Sequence, residues 1–202
     1  MEMEYLKDKI VFDKELNDFD LFTFDFIKIL DNLGIDYVLI SGYVALLFGR
    51  SRMTEDIDLF IEKLSFERFD KLWNELLEKF ECINSNDSKE AYDDYLCSGC
   101  SLNFSLSGSF IPRMEVKFPK TSVDSWSIEN KKKVVLNGQD LFISPLELQI
   151  AFKIWLGRKG NEKDIEDAKH LYSIFKDFLD NGLFESFIQK LNIRHLIKRY
   201  LK

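Results

Sequence analysis

The chain has 202 residues, of which 46% are hydrophobic, so it carries enough apolar surface for one sizeable core and does not fit a disordered protein. Its formal net charge of −7 argues against a broad electrostatic surface for nucleic acid, which needs clustered lysine and arginine. The N-terminal sequence lacks the pattern of a signal peptide, and no apolar run approaches the roughly 18 residues of a membrane span. We therefore expect a cytoplasmic protein with no membrane partner.

The first sixty residues predict a helix, a strand and a second helix. Residues 19–33 repeat apolar side chains at helical spacing, and Gly34 is typical of a helix end. Residues 36–40 form a short apolar run with β-branched residues, which is typical of a buried strand. The pair Ser41-Gly42 breaks this run, and a second helix is expected around residues 44–48.

The next eighty residues add further strands and a helix. Residues 56–61 alternate and then become continuously apolar, as a strand that enters a core does. Residues 65–80 are amphipathic at helical spacing. Further strands are predicted at residues 80–84, 101–106 and 112–118. This order predicts an α/β (α+β) fold, with a mixed sheet flanked by helices.

The sequence becomes helical in character from residue 144 onward. The segment Ser144-Pro-Leu-Glu147 has the composition of a helix capping box, and the helix is expected to run to about Leu156. Another helix is predicted to open at Asn161. We therefore predict an α/β domain over residues 1–143 and a C-terminal helical domain over residues 144–202.

The three cysteines do not indicate a disulfide framework, because their number is odd and the chain is long. Cys97 and Cys100 form a C-x-x-C motif, which in a zinc site requires two further ligands. Only Cys82, His170 and His195 remain as candidates, at scattered positions. We therefore expect these cysteines to be reduced thiols and not ligands of a zinc site.

Asp56 and Asp58 form a candidate metal site. Side chains two residues apart on a strand point to the same face, so the two carboxylates project together. A hard divalent cation such as Mg²⁺ relieves the repulsion between them, and Mg²⁺ commonly takes its other ligands from water and phosphate. The alternative is that the D-x-D spacing arose by chance on a solvated strand face.

The Ser41-Gly42 turn is a candidate phosphate site. A helix N-terminus presents free backbone N–H groups and the positive end of a dipole, and glycine permits close approach to the backbone. The alternative is an ordinary serine cap followed by a permissive glycine. The turn and the D-x-D strand together favour function, because they would place phosphate and metal side by side.

Residues 39–61 resemble the signature of the DNA polymerase β-like nucleotidyltransferase superfamily. The closest likeness is to the AbiEii-type branch, which includes toxins of type IV toxin–antitoxin systems, through the pattern R-x-T-x-D-I-D that ends at Asp58. Residues 134–153 resemble the family's strand and S-P-x-E helix, and Arg158 with Lys163–Asp167 resembles its R-x-x-x-K-D-x-x-D segment. The resemblance implies a nucleotidyltransferase fold with a C-terminal helical lobe.

The resemblance also implies roles for individual residues. Asp56 and Asp58 would hold Mg²⁺ against the nucleoside triphosphate (NTP). The implied nucleotide-binding residues are Ser41, Gly42, Arg52, Thr54, Lys153 and Lys163. The alternative for the two lysines is solubility, and Asp164 and Asp167 either orient these lysines or pair with neighbours at helical spacing.

A third metal-binding carboxylate is expected from a later strand, and Glu115 is the candidate. By resemblance it would bind metal and help to deprotonate the attacking hydroxyl. The family usually has aspartate there. Arg113 and Lys117 share the face of Glu115, so the alternative is a solvated, charge-paired edge strand.

Two functions follow from these observations. The first is an enzyme that transfers a nucleoside monophosphate from Mg-NTP to an acceptor hydroxyl on a tRNA 3′ end, a protein or a small molecule, and that has an antitoxin partner if it is a toxin. The run Lys131–Lys133 is the only basic cluster suited to RNA, although such runs are commonly solvated loops. The second function is a catalytically idle binding or regulatory module of the same fold.

Overall fold

A mixed sheet of nine strands organises the part of the chain that the computed structural model describes, residues 2–6 and 8–201. The strands are β1 (Met3–Tyr5), β2 (Lys9–Phe12), β3 (Tyr37–Ile40), β4 (Asp56–Ile61), β5 (Phe80–Cys82), β6 (Leu102–Leu106), β7 (Arg113–Lys117), β8 (Lys132–Leu136) and β9 (Gln139–Ile143). Their order across the sheet is β1-β2-β8-β9-β3-β4-β7-β6-β5. The pairs β2/β8, β3/β9 and β4/β7 are parallel, and the other neighbours are antiparallel.

Helices flank this sheet and form the C-terminal segment. They are α1 (Asp18–Asn32), α2 (Gly42–Leu47), α3 (Phe66–Leu77), α4 (Ser88–Glu90), α5 (Ser122–Glu129), α6 (Leu146–Gly157), α7 (Glu162–Phe175), α8 (Asn181–Lys190) and α9 (Arg194–Tyr200). A π-helical turn, Ala91–Leu96, continues α4. No helix within residues 2–6 and 8–201 is long and apolar enough to cross a membrane.

The central strands have one apolar and one polar face. On the apolar face, Ile57 pairs in register with Met114, and Phe104 pairs with Met114 from the other side. Helices α1 and α3 cover this face, since the rings of Phe26 and Trp73 each lie 5.8 Å from that of Phe104. The carboxylates of β4 and β7 therefore project from the opposite face.

The predicted α/β class and mixed sheet are confirmed, and several elements match closely. Strand β4 has the predicted bounds, and α1 and α3 agree with the prediction within a few residues. All described residues after Ile143 that adopt regular structure are helical. One hydrophobic cluster joins residues of the sheet with residues as late as Leu201. The proposed division at residue 144 stays a prediction.

The predicted capping box at the start of α6 is wrong. The helix begins at Leu146 with Pro145 as its N-cap residue, and no side chain caps it. The Ser144 hydroxyl instead donates to Gln149 Oε1 at 3.1 Å, and Glu147 accepts from the backbone N–H of Asp180 at 2.8 Å. These side chains bind more distant partners, a competition that spacing alone does not reveal.

Several elements were not predicted from the sequence. They are the N-terminal strands β1 and β2, helix α5, and the hairpin of β8 and β9, where the resemblance implied a single strand. The hairpin turn at Asn137-Gly138 has positive φ at both residues, 49° and 79°, which is the conformation that Asn-Gly favours. Lys132 and Lys133 lie on β8, so the basic run is mostly part of a strand and not a solvated loop.

Gly157 provides a test of the packing between α6 and α7. A Cβ at this position would lie 2.4 Å from Cδ1 of the buried Ile165. We expect Gly157→Ala to lower the free energy of unfolding by about 1–3 kcal/mol through overpacking, which outweighs the higher helix propensity of alanine. Denaturant titration measures the loss. The control is Gly182→Ala on α8, where the nearest atom lies 3.3 Å away and little loss is expected; equal effects would contradict the packing argument.

Candidate active site

The three predicted carboxylates lie on two adjacent parallel strands. Asp56 and Asp58 project from the polar face of β4, and Glu115 is the Cα partner of Asp58 on β7. Strand β7 lies between β4 and β6, so the alternative of an edge strand is wrong for Glu115. Because neighbouring strands are about 4.8 Å apart, this register brings the Asp58 and Glu115 side chains together.

Two cations of β7 neutralise these carboxylates. The Lys117 ammonium lies 2.9 Å from Oδ1 of Asp58 and 2.9 Å from Oε2 of Glu115. Arg113 donates to Oδ1 of Asp56 and also lies 3.6 Å from Glu55. Both cations are two residues from Glu115, so the alternation of the strand delivers them to the same face. The charge pairing that the sequence suggested is therefore present, but it lies on an interior strand of the sheet and not on an edge strand.

The pair Asp58–Glu115 has unequal affinities for a proton. Burial raises the pKa of Asp58, Lys117 opposes this effect, and the neighbouring Glu115 adds to the rise. For Glu115 burial also favours the neutral form, but hydrogen bonds from Asp58, Ser101 and Lys117 outweigh it and lower the pKa to about 2. The Ser101 hydroxyl donates to Glu115 Oε1 at 2.7 Å. Glu115 is therefore ionised at neutral pH.

The Ser41-Gly42 turn has an unusual backbone. Ser41 has a φ of 63°, a left-handed conformation that is uncommon outside glycine, and its side chain does not cap α2. Its carbonyl accepts a hydrogen bond of 2.9 Å from Nε2 of Gln149 on α6. A Cβ on Gly42 would lie 3.0 Å from the guanidinium carbon of Arg52. A side chain at this position would therefore press on the end of the Arg52 side chain, which would have to shift slightly.

A buried ion-pair network joins the loop before β4 to the helices α6 and α7. Asp167, with 0% exposure, accepts from Nε of Arg50 at 2.7 Å and from Arg52, and its Oδ2 lies 2.8 Å from the Lys153 ammonium. Lys153 also contacts Asp164 at 2.9 Å. The resemblance implied that Asp164 and Asp167 either orient the lysines or pair locally. In the structure both carboxylates, which lie on α7, contact Lys153, which lies on α6.

The remaining predicted nucleotide-binding residues differ in position. Thr54 donates to the backbone carbonyl of Asp56 at 3.1 Å and so shapes the loop before β4. Lys163 is exposed on α7 and is not one of the residues that line the cleft beside Asp58. The Arg52 guanidinium lies near Gly42 of the turn, whereas Lys153 is buried and is one of the residues that line that cleft.

A largely apolar cleft adjoins the carboxylates and has a cavity volume of about 260 Å³. Its polar lining includes Ser41, Asp58, Lys117 and Lys153. Its apolar lining is contributed by Ile40, Phe60, Val123, Leu148, Phe152 and Leu156. Helices α5 and α6 contribute most of the apolar lining, and they also contribute the charged residues Asp124 and Lys153.

The cysteines are free, and in the described residues no group of three or more histidine, cysteine, aspartate or glutamate side chains is placed to hold a metal ion. Burial raises the pKa of the Cys82 thiol, whereas Cys97 and Cys100 are exposed. We expect a thiol reagent to modify two thiols of the native protein quickly and Cys82 only after unfolding. The Cys82→Ala variant should keep both fast thiols; rapid modification of all three would contradict the buried position of Cys82.

Sequence reasoning missed two residues of this site. It placed Lys117 on the face of Glu115 and considered charge pairing there, but it did not predict that the ammonium bridges Glu115 and Asp58. Arg50 and Gln149 carry no local signal, because their partners Asp167 and Ser41 are more than a hundred residues away in the chain.

Comparison with solved structures identifies the fold. An antigenic nucleotidyltransferase-like protein from Paracoccidioides brasiliensis has 19% identity and a TM-score of 0.54, with 92% of this chain and 94% of that chain covered. The solution structure of the antibiotic-resistance factor ANT(2″)-Ia has 12% identity and a TM-score of 0.54, with coverages of 91% and 97%. The complex of ANT(2″)-Ia with adenylyl-2″-tobramycin has 11% identity and a TM-score of 0.50, with coverages of 82% and 94%.

The comparisons by sequence are negative. No family model matches the chain, and no curated protein matches it significantly. The assignment of the fold therefore rests on structural similarity, which establishes the nucleotidyltransferase fold for this chain.

Proposed function

We propose that this chain, which has the nucleotidyltransferase fold, transfers a nucleoside monophosphate from Mg-NTP to an acceptor hydroxyl. The acceptor oxygen bonds to the α-phosphorus, the bond from this phosphorus to the bridging oxygen breaks, pyrophosphate leaves and the hydroxyl proton is released. The observation that carries the proposal is the register of Asp58 beside Glu115 at the edge of a cleft that also contains Ser41 and Lys153.

The donor set fits a hard divalent cation such as Mg²⁺. Asp56, Asp58 and Glu115 offer only carboxylate oxygens from one face of the sheet, which is the ligand chemistry that Mg²⁺ prefers. As they lie, the three side chains are not grouped to hold an ion, because Arg113 holds Asp56 and Lys117 lies between Asp58 and Glu115. Asp58 and Glu115 would hold the ion once Lys117 moves, and Asp56 would join them once Arg113 releases it. When bound, the ion would stabilise negative charge on the attacking and leaving oxygens.

The low pKa of Glu115 refines its proposed role. Hydrogen bonds from Ser101 and Lys117 favour its charged form. A charged carboxylate suits a metal ligand, and we therefore propose that Glu115 acts first as a ligand of the ion.

The ion-pair network supports phosphate binding at the Ser41-Gly42 turn. Three cations, Arg50, Arg52 and Lys153, face only two carboxylates, Asp164 and Asp167. The network thus leaves positive charge behind the turn, and the Arg52 guanidinium lies close enough to Gly42 that a side chain there would crowd it. Because these cations are already held in place, they favour binding of the triphosphate without having to rearrange. For the exposed Lys163, a nucleotide-binding role rests on the resemblance alone.

The acceptor is better explained as a small molecule or a protein side chain than as tRNA. In the one lysine run, Lys131 pairs with Asp36 and Lys133 lies 2.6 Å from Asp140. Neither lines the cleft, whose wall is mostly apolar. Phosphate contacts dominate affinity for nucleic acid, so a cleft without this cluster lacks the usual means of holding an RNA strand.

The resemblance to the AbiEii-type branch leads to a more specific proposal, in which the protein is a cytoplasmic toxin with an antitoxin partner. The free, exposed Cys97 and Cys100 fit a reducing compartment. Induced expression should then arrest growth, and coexpression of a small protein encoded beside this gene should restore it. Normal growth at high expression would refute the toxin proposal but leave the transfer activity open.

The proposed activity is tested by incubating the protein with Mg²⁺ and each α-labelled NTP in the presence of total RNA, protein extract or small hydroxyl compounds. Transfer of label to one of these pools with release of pyrophosphate is expected. Label in the RNA pool would contradict the preference for another acceptor.

The alternative of an idle binding module is favoured by one observation, that each of the three carboxylates already pairs with Lys117 or Arg113. An idle module would bind nucleotide, detectable by calorimetry, without transferring label to any acceptor. Transfer that depends on Asp58 would exclude it.

A further inference from the structure

We propose that Lys117 is a built-in counter-ion that competes with the divalent cation for Asp58 and Glu115, so that the protein without nucleotide binds metal weakly. The inference rests on the proposed function, because it assumes that these carboxylates are the metal ligands. It concerns a residue outside the motif of the resemblance and follows from the contacts of this chain.

The first argument is the position of the ammonium. Lys117 Nζ lies 2.9 Å from one oxygen of Asp58 and 2.9 Å from one oxygen of Glu115, so a single cation bridges the two carboxylates. A metal held by both groups would need the same shared space and would supply the same electrostatic relief. Without any cation, two adjacent carboxylates would repel each other. Lysine and metal are therefore alternatives.

The second argument is that the Lys117 side chain has room to move away from the carboxylates. Its side chain keeps 23% exposure and is one of the residues that line the cleft. The ammonium is a compact charge on a flexible four-carbon stem, so rotation about its bonds can carry it from the carboxylates into the cleft. Arg113 differs, because it is not one of the residues that line the cleft.

These contacts couple metal binding to nucleotide binding. A triphosphate in the cleft offers the displaced ammonium new anionic partners, so it removes the cost of breaking the contacts with Asp58 and Glu115. In the absence of nucleotide that cost remains and lowers the affinity for metal. The lysine thus keeps the carboxylates neutralised until the substrate is present.

The test is a titration of the nucleotide-free full-length protein with Mn²⁺, in which electron paramagnetic resonance measures the free ion. We expect Lys117→Met to bind Mn²⁺ about tenfold or more tightly than the wild type, because removal of a neighbouring charge changes such equilibria by about one to three decades. Lys117→Gln serves as a second variant if the first is unstable. The control is Lys71→Met, an exposed lysine of α3, which makes the same change in net charge.

The Asp58→Asn variant separates failure of the inference from failure of the proposed function. If Asp58→Asn weakens Mn²⁺ binding but both Lys117 variants bind like the wild type, the inference is overturned and the metal site stands. If Asp58→Asn has no effect on Mn²⁺ binding, the metal site itself is wrong. A gain in affinity with Lys71→Met equal to that of Lys117→Met would show a general charge effect and would also overturn the inference.

Discussion

Asp58→Asn is expected to lower the rate of nucleotide transfer by at least about 10²–10³-fold, the usual effect of removing one preorganised charged group from an active site. Asparagine keeps the volume of the side chain but loses the negative charge that the metal requires. Lys117 keeps its contact with Glu115, at 2.9 Å, so the strand pairing should survive. The rate of pyrophosphate release at saturating NTP measures the effect.

The control for this prediction is Asp177→Asn, which removes one negative charge at an exposed position beyond α7. It should leave the rate within about twofold of the wild type, since surface substitutions away from a site are close to neutral. A thermal melt shows whether Asp58→Asn is folded. If folded Asp58→Asn retains more than a tenth of the wild-type rate, Asp58 does not hold a required metal.

The candidate site was predictable from sequence where its residues are close together in the chain. Alternation located β4 with its observed bounds, and it placed Asp56 and Asp58 on one face. The alternation around Glu115 similarly predicted β7. The parallel register that sets Glu115 beside Asp58 was not predictable from these patterns, because alternation fixes the face of a side chain and not its neighbour on another strand.

The contacts that sequence reasoning missed are those between distant segments. Arg50 and Gln149 are unremarkable in their local sequence, yet each binds a residue more than a hundred positions away. The capping box at Ser144 failed partly for this reason, since Glu147 binds Asp180, 33 residues away, whereas Ser144 binds the nearby Gln149. By contrast, the Asn137-Gly138 turn carried a clear local signal for a hairpin and was overlooked.

The two halves of the site have opposite charge balances. On β4 and β7, three carboxylates meet two cations, Lys117 and Arg113, and the surplus is negative. Behind the Ser41-Gly42 turn, three cations meet Asp164 and Asp167, and the surplus is positive. Mg-NTP carries a cation and a polyanion, so it matches both surpluses at once. Among the cations of the two halves, Lys117 and Lys153 line the cleft, and Lys153 is almost fully buried.

Asp167→Asn is expected to lower the free energy of unfolding by about 3–5 kcal/mol, the cost of removing one partner from a buried ion pair. The carboxylate is fully buried and receives Arg50, Arg52 and Lys153. In the variant these cations retain only Asp164 as an anionic partner within the network. The loop that carries Arg52 should also loosen, so nucleotide affinity should fall along with stability. Urea titration measures the first effect and calorimetry the second.

The matched control is Glu166→Gln, one residue earlier on the same helix. Glu166 pairs with Lys169 at 2.8 Å, but both side chains are more than 40% exposed, and such surface pairs contribute about 0–1 kcal/mol. Adding Lys153→Met to Asp167→Asn should recover part of the lost stability, because it removes one of the cations left without their partner. If Asp167→Asn were no more destabilising than Glu166→Gln, the ion-pair network would not hold the loop to α7. The proposal that this network fixes positive charge behind the turn would then be wrong.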